Sequence, residues 1–249
     1  MNFCDLIEKT ILITGASSGI GKQAAISITK QGGKVIISGR DKKKLDNSFA
    51  ELKGTDNQLI VADLKSEAQI QNLVDIIPEL NGIVHCAGII GPTPAKFIQQ
   101  ENIDKIFRIN FEVPVLLTAK ILKFKKLLNN SSIVFMSTVA TKSPYFGGSL
   151  YNSSKSAIEA YSMTLALELV NKGIRSNCIS PGLVNTPLIS EPAKEGQMEI
   201  VEDSLQRYLK KYPMGIGEPE DVANTIVFLL SDESKWISGT NITMGGIIQ

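Results

Sequence analysis

The stretch Thr14-Gly15-Ala16-Ser17-Ser18-Gly19-Ile20-Gly21 limits what this chain can fold into more than any other. It directly follows the apolar run Thr10-Ile11-Leu12-Ile13. A buried strand that turns on glycines into a helix brings unsatisfied N–H groups and the positive helix end to one point, where a pyrophosphate can sit. The first glycine permits a tight turn, and the later ones let backbone approach phosphate and let the helix pack closely on the strand. Gly15, Ser17, Ser18, Gly19, Ile20 and Gly21 are therefore the candidate phosphate contacts.

The chain then alternates short apolar runs with amphipathic stretches. Strands are expected at Thr10–Thr14, Lys34–Ser38, Gln58–Ala62, Gly82–Cys86, Ser131–Met136, Ile174–Ile179 and Asn241–Thr243. Helices are expected at Ile20–Gln31, Lys42–Leu52, Glu67–Ile77, Asn102–Leu128, Leu150–Asn171 and Pro219–Leu230. Strands that are apolar throughout are covered on both faces. The alternation specifies one doubly wound α/β domain, with a parallel sheet of about seven strands and helices on both sides. No linker, compositional break or internal repeat divides the 249 residues. Ligands of such sheets lie beyond the carboxyl ends of the strands, which selects the residues just after each strand.

Composition excludes more than it selects. Net charge is +1, from 26 basic and 25 acidic residues, so nothing calls for nucleic acid or an anionic membrane as partner. Cys4, Cys86 and Cys178 are an odd set without metal spacing, and Cys86 and Cys178 lie in apolar runs, so buried free thiols and a reducing compartment are expected. No basic region followed by a long apolar stretch opens the chain, so no signal peptide is expected. No apolar run approaches the ~20 residues of a membrane span. A cytoplasmic protein follows as the expectation. With a single histidine, His85, and no acidic cluster, no metal site is expected.

The second strand bears on the cofactor. A fold that binds NAD usually carries an Asp or Glu about 20 residues after the glycine motif, to hold the ribose 2′-OH. Here the region reads Ile36-Ile37-Ser38-Gly39-Arg40, with an arginine and no carboxylate. Arginine binds phosphate through paired, charge-assisted hydrogen bonds, which favours NADP(H) over NAD(H). In the alternative, Arg40 opens the next helix as a solvated charge, and Lys43 and Lys44 are equally open to both readings. Asp63 ends the third strand, where it could accept from an adenine amino group or cap the helix beginning near Ser66.

Tyr151 and Lys155 are four residues apart at the start of a helix and so share a face. A nearby ammonium favours phenolate, so Lys155 is expected to lower the phenol pKa from its usual ~10 and make Tyr151 a general acid or base near neutral pH. The small residues Ser153, Ser154, Ser156 and Ala157 let this helix approach a ligand closely.

Taken in order, Thr14–Gly21, Cys86-Ala87-Gly88, Asn110, Ser137-Thr138, Tyr151–Lys155 and Pro181–Thr186 resemble the short-chain dehydrogenase/reductase family, of the type with a single Rossmann domain. The resemblance covers nearly the whole chain. It implies that Tyr151 donates a proton to a carbonyl during reduction and that Lys155 lowers its pKa and holds the nicotinamide ribose. It implies that Asn110, in a long helix, anchors a water in a proton relay. Pro181, Gly182, Val184 and Thr186 would cradle the nicotinamide, Asp63 and Leu64 would flank adenine, and Cys86, Ala87 and Gly88 would line the cofactor. It also suggests a homo-oligomer, a tetramer or dimer, using outward apolar faces of the two long helices.

The chain departs from the family pattern in places. The family's catalytic serine lies thirteen residues before the tyrosine, and here that position is Thr138, with Ser137 one residue earlier. Adjacent strand residues face opposite ways, so only one of the two can meet the phenol; Thr138 is the expected one. Two asparagines usual after the fourth strand are replaced by His85-Cys86. His85 is expected to be a packed, neutral histidine rather than a catalyst. Met244 replaces a frequent aspartate, with a packing consequence at most.

Residues 185–213 read as a substrate lid, with apolar Leu188, Ile189, Met198, Ile200, Val201, Leu205 and Tyr208 among many charges. Such a lid suits mid-sized carbonyl compounds. The leading expectation is an NADP(H)-dependent reductase of a 3-oxoacyl-thioester-like substrate, with Lys125, Lys126 and Lys172 available to an acidic carrier protein. The alternatives are a sugar, polyol or steroid alcohol dehydrogenase, NAD-linked in one version, and a non-catalytic nucleotide-sensing protein on the same fold.

Overall fold

A computed structural model describes residues 4–189 and 214–246. Seven parallel strands form one sheet in the order β3-β2-β1-β4-β5-β6-β7. They are β1 (Thr10–Thr14), β2 (Lys34–Gly39), β3 (Gln58–Val61), β4 (Leu80–His85), β5 (Leu127–Met136), β6 (Arg175–Ser180) and β7 (Asn241–Thr243). The described helices are α1 (Gly19–Lys30), α2 (Lys42–Phe49), α3 (Glu67–Ile76), α4 (Gln100–Phe107), α5 (Val113–Lys123), α6 (Ser149–Leu169) and α7 (Pro219–Leu230).

Alternation along β1 builds both halves of the core. Ile11 and Ile13 face Ala24 and Ile28 of α1 and Ile226 of α7. Leu12 between them faces the opposite layer, with Leu73 of α3, Leu117 of α5 and Ile158 of α6. All nine side chains are buried, which is why the strand reads as continuously apolar. Strand order reverses between β1 and β4, so the loops after these two strands open a crevice at the carboxyl end of the sheet.

The structure corrects the single long helix expected over Asn102–Leu128. The chain forms α4, a π-helical turn at Arg108–Glu112, and then α5 with Pro114 in its first turn. It leaves the helix at Lys123, and residues from Leu127 belong to β5. Lys125 adopts a left-handed conformation (φ 55°), and the Lys126 N–H donates back to the Ile121 carbonyl at 2.9 Å. A glycine usually makes this closure, and its absence hid the helix end.

His85 lies at the end of β4, 5% exposed. Its Nε2 is 2.9 Å from the Thr118 hydroxyl, and its ring stacks on Phe135 with centroids 4.8 Å apart. Burial holds its pKa down at about 3, so it is a neutral packing residue. Met244 likewise packs at the edge of the core, while its backbone joins Ser180 and Gly182.

Two stability predictions follow from this packing. A Cβ added at Gly82 would lie 2.7 Å from Leu230 Cδ2 and 3.0 Å from the Ser132 carbonyl oxygen. Gly82→Ala is expected to lower stability in urea by about 1–3 kcal/mol through overpacking. For His85 the folded pKa lies below the unfolded value of 6.5, so its contribution is complete above that value and is lost as pH falls toward 3. Between pH 7 and pH 4.5 the loss from this group is of order 2–3 kcal/mol, and His85→Asn should flatten the stability profile across that window.

Candidate active site

The site is assembled where the loops after β1, β4, β5 and β6 converge on α6. Gly15 (φ 68°) makes the turn out of β1, and a Cβ there would lie 2.6 Å from the Ala87 nitrogen. A Cβ on Gly21 would lie 2.5 Å from the Gly15 oxygen and 3.1 Å from Cys86 Cβ. The β1 and β4 loops are therefore in direct backbone contact, and only hydrogen fits between them. Ser18 caps α1 without a side-chain hydrogen bond, and the first turn carries no acidic residue. The first N–H groups of α1 are thus free of a competing side-chain acceptor at their cap, as anion binding requires. A Cβ on Gly19 would be 3.3 Å from Thr186 Cγ2, which places the β6 loop beside the glycine turn.

Arg40 is exposed just after β2, and among the described residues it makes no ion pair. Asp41, not Arg40, caps α2, accepting from the Lys44 N–H at 3.0 Å. Asp63 does not cap α3: Ser66 does, and Asp63 Oδ1 accepts from the Lys65 N–H at 3.1 Å. Leu64 is buried beside it. Both stand at the same end of the sheet as Arg40.

On the other side of the crevice, Gly88 faces Lys155 and Asn110: a Cβ there would be 3.4 Å from Lys155 Nζ and 3.5 Å from Asn110 Oδ1. Asn110 is buried within the π-helical turn, a local widening that often marks function in helices. Its amide holds the loop after β4, accepting from the Ile89 N–H at 2.9 Å and donating to the Ile89 carbonyl at 3.0 Å and to Ser154 Oγ at 3.1 Å. The side chain thereby ties this loop to α6, and its Oδ1 keeps a second lone pair.

Lys155 is 5% exposed, and its ammonium donates to the Met136 carbonyl at 2.8 Å. Burial lowers its pKa to about 8. Tyr151 lies one turn earlier, with the Lys155 Nζ 5.9 Å from its ring centroid. The expected lowering of the phenol pKa by Lys155 is not met in the protein alone. Burial pushes the Tyr151 phenol up, the neighbouring Tyr145 adds to the rise, and the Thr138 side chain, within hydrogen-bonding reach, works against them. The ammonium is drawn to the Met136 carbonyl, and desolvation of the phenol dominates.

Thr138, and not Ser137, faces the phenol. Its backbone is extended (φ −160°, ψ 148°). Ser137 instead donates to Glu159 Oε1 at 2.5 Å, two turns further along α6. Glu159 and Tyr145 were missed in the sequence. Glu159 could have been found, since Tyr151, Lys155 and Glu159 repeat every four residues along one face of α6.

In the β6 loop, Pro181, Val184 and Thr186 are buried. Pro181 accepts from the Val139 N–H at 3.1 Å, and the Gly182 N–H donates to Met244 at 3.0 Å. Of the expected lid, residues 190–213 lie outside the described residues, so Met198, Ile200, Val201, Leu205 and Tyr208 are not placed. Cys4 and Cys178 are buried free thiols, whereas Cys86 is half-buried. Burial raises the thiol pKa of both Cys86 and Cys178 to about 12. The Lys126 ammonium donates to the Ile77 carbonyl at 2.7 Å, which binds it to the end of α3, while Lys125 and Lys172 are exposed. Among the described residues no group of His, Cys, Asp and Glu could hold a metal ion, and no helix is long and apolar enough to cross a membrane.

The family model described as Enoyl-(Acyl carrier protein) reductase matches residues 15–246. The chain belongs to the short-chain dehydrogenase/reductase family. A 3-oxoacyl-[acyl-carrier-protein] reductase of Rickettsia felis is 34% identical over 246 residues, covering 97% of each chain. The human dehydrogenase/reductase SDR family member 4 is 29% identical over 248 residues, 97% of this chain and 87% of that one. A solved short-chain dehydrogenase/reductase family protein superposes with a TM-score of 0.84 at 25% identity, over 97% of each chain. The protein is thus an oxidoreductase of this family, acting between CH–OH and carbonyl groups.

The geometry predicts an unequal pair of variants. Thr138→Ala is expected to reduce kcat by about 100-fold or more, because it removes the hydroxyl beside the phenol, while Ser137→Ala should cost only several-fold. Steady-state kinetics on the two purified variants decide it, and equal losses would overturn the assignment.

Proposed function

We propose that this protein reduces a 3-oxoacyl thioester or a similar carbonyl compound to a secondary alcohol with NADPH, using Tyr151 as the proton donor. The observation that carries the reading is the cluster at the α6 N-terminal end: the half-buried Tyr151 phenol beside the half-buried Thr138 hydroxyl and one turn from a buried ammonium.

The residues present suit a dinucleotide. Gly88 leaves room beside Lys155 and Asn110, the close-packed turn at Gly15 and Gly21 sets the start of α1 against the crevice, and α1 lacks a side-chain cap. Gly15, Ser17, Ser18, Gly19, Ile20 and Gly21 would hold the pyrophosphate, Arg40 a 2′-phosphate, and Asp63 and Leu64 the adenine. Cys86, Ala87 and Gly88 would line the middle, with Pro181, Gly182, Val184 and Thr186 around the nicotinamide and Lys155 on its ribose. When bound, the nicotinamide supplies the hydride that reaches the carbonyl carbon.

The protein's own groups then handle the oxygen. Thr138 and Tyr151 present two hydroxyls to the carbonyl oxygen, and Tyr151 Oη gives it a proton as the C=O bond becomes C–OH. Because burial raises the phenol pKa, Tyr151 is protonated at neutral pH, the state needed for donation. The family model's description names enoyl reduction, which delivers its proton to carbon. Two oxygen donors converging on one acceptor suit carbonyl reduction better. Asn110 would place a water for proton return through the loop it holds.

The shared 34% identity with a carrier-protein-dependent reductase supports a thioester substrate borne by an acidic carrier, with Lys125 and Lys172 as exposed cations for it. The apolar side chains Met163, Leu167 and Val170, exposed on α6, support a homo-oligomer through that face. A cytoplasmic setting accords with three free thiols.

Cofactor oxidation with NADPH and NADH against a carbonyl panel containing a short 3-oxoacyl thioester tests the reading. Turnover is expected with NADPH, and Tyr151→Phe should abolish it while nucleotide affinity changes by less than about 3-fold. Tight nucleotide binding without turnover on any carbonyl would overturn it in favour of nucleotide sensing. Arg40→Asp should cut the NADPH preference by at least about 10-fold, and an unchanged preference would remove Arg40 from the site.

A further inference from the structure

We infer that Glu159 is a positioning residue for the reaction, holding the end of β5 so that Thr138 meets Tyr151; this rests on the reading of Tyr151 given above. Three hydroxyls from three separate segments converge on one oxygen of its carboxylate. Ser137 Oγ, at the end of β5, donates to Glu159 Oε1 at 2.5 Å. Thr141 Oγ1, in the 3-10 turn that follows, donates at 3.1 Å. Ser180 Oγ, at the end of β6, donates at 3.4 Å. Hydrogen bonds to a carboxylate are roughly twice as strong as those between neutral groups. A single side chain of α6 thus ties both strand ends that lead into the site.

The consequence is a matched ladder between one strand end and one helix face. Met136, Ser137 and Thr138 are consecutive at the end of β5. Tyr151, Lys155 and Glu159 stand on successive turns of α6. The Met136 carbonyl receives Lys155, Ser137 is received by Glu159, and Thr138 reaches Tyr151. Ser137 and Thr138 are adjacent just past β5, so anchoring the Ser137 side chain to α6 restrains the backbone that carries Thr138. Release of all three hydroxyls together would let the strand end shift and carry the Thr138 hydroxyl off the phenol. Misplacement on the scale of 1 Å in such a pair costs of order 100-fold in rate. Glu159 touches no reacting atom in this account, and it acts through Ser137, Thr141 and Ser180.

The test compares Glu159→Ala and Glu159→Gln, each with steady-state kinetics on a 3-oxoacyl thioester, NADPH affinity and thermal unfolding. Glu159→Ala should lower kcat by about 10- to 100-fold with KM and NADPH affinity within about 3-fold. Glu159→Gln retains a side-chain oxygen that accepts, and should recover most of kcat. The double variant Ser137→Ala/Glu159→Ala should be no slower than Glu159→Ala alone, since removing Glu159 already breaks the Ser137 bond along with the other two. An active wild type with unchanged kcat in Glu159→Ala would overturn the inference. So would a loss shared by kcat, KM and NADPH affinity that the glutamine does not recover, which marks a merely structural residue. If the alanine variant does not fold, Glu159→Gln and Ser137→Ala decide: near-wild-type kcat for the first with a several-fold loss for the second supports positioning, and no loss in Ser137→Ala overturns it. A wild type without turnover on any carbonyl overturns the Tyr151 reading itself, and this inference with it.

Discussion

A buried ammonium organises this site. Lys155 is almost wholly removed from water, and among the described residues no carboxylate forms an ion pair with it. Its pKa near 8, against an ordinary 10.5, corresponds to a burial cost of order 3 kcal/mol at neutral pH. What offsets this is the Met136 carbonyl at 2.8 Å, at the last position of β5. The cation can stay charged only if α6 keeps its register against that strand end. Tyr151, one turn nearer the helix start, is thereby brought to Thr138. Gly88 borders the same pair, since a Cβ there would lie in van der Waals contact with both the ammonium and Asn110. The crevice is therefore shaped by where a charge can be tolerated as much as by apolar packing.

Much of this was legible in the residues, and the reasons differ by element. Patterning placed the five central strands because they are largely buried, and the half-exposed edge strands β3 and β7 by their short apolar runs; the glycine turn was legible because two backbones approach too closely for any Cβ. The Tyr151–Lys155 pairing followed from helical spacing alone. The break at Asn110 was not legible: Arg108–Glu112 reads as ordinary amphipathic helix, and the π-helical turn depends on a tertiary contact between the Asn110 amide and Ile89. The helix end at Lys125 lacked its usual glycine. The sign of the Tyr151 shift was misjudged because spacing reveals a neighbouring charge but not the depth of burial, and here burial dominates. Asp63 was ambiguous for a similar reason, since a carboxylate three residues before a serine cap can serve the local turn instead of the helix.

The opposite shifts of the two groups give the proposed reaction a direction for its proton. Burial destabilises charge, so it raises the phenol above its ordinary value and lowers the ammonium beneath its own. In free solution the two side chains titrate close together, near ~10. In this site burial moves them apart, the ammonium down and the phenol up. The Thr138 hydroxyl eases the first step, because it favours the ionised phenol that donation leaves behind. The same burial makes the reverse reaction harder, since alcohol oxidation needs the phenol deprotonated before substrate arrives. Near neutral pH the raised phenol therefore stays protonated, which is the state the proposed reduction uses.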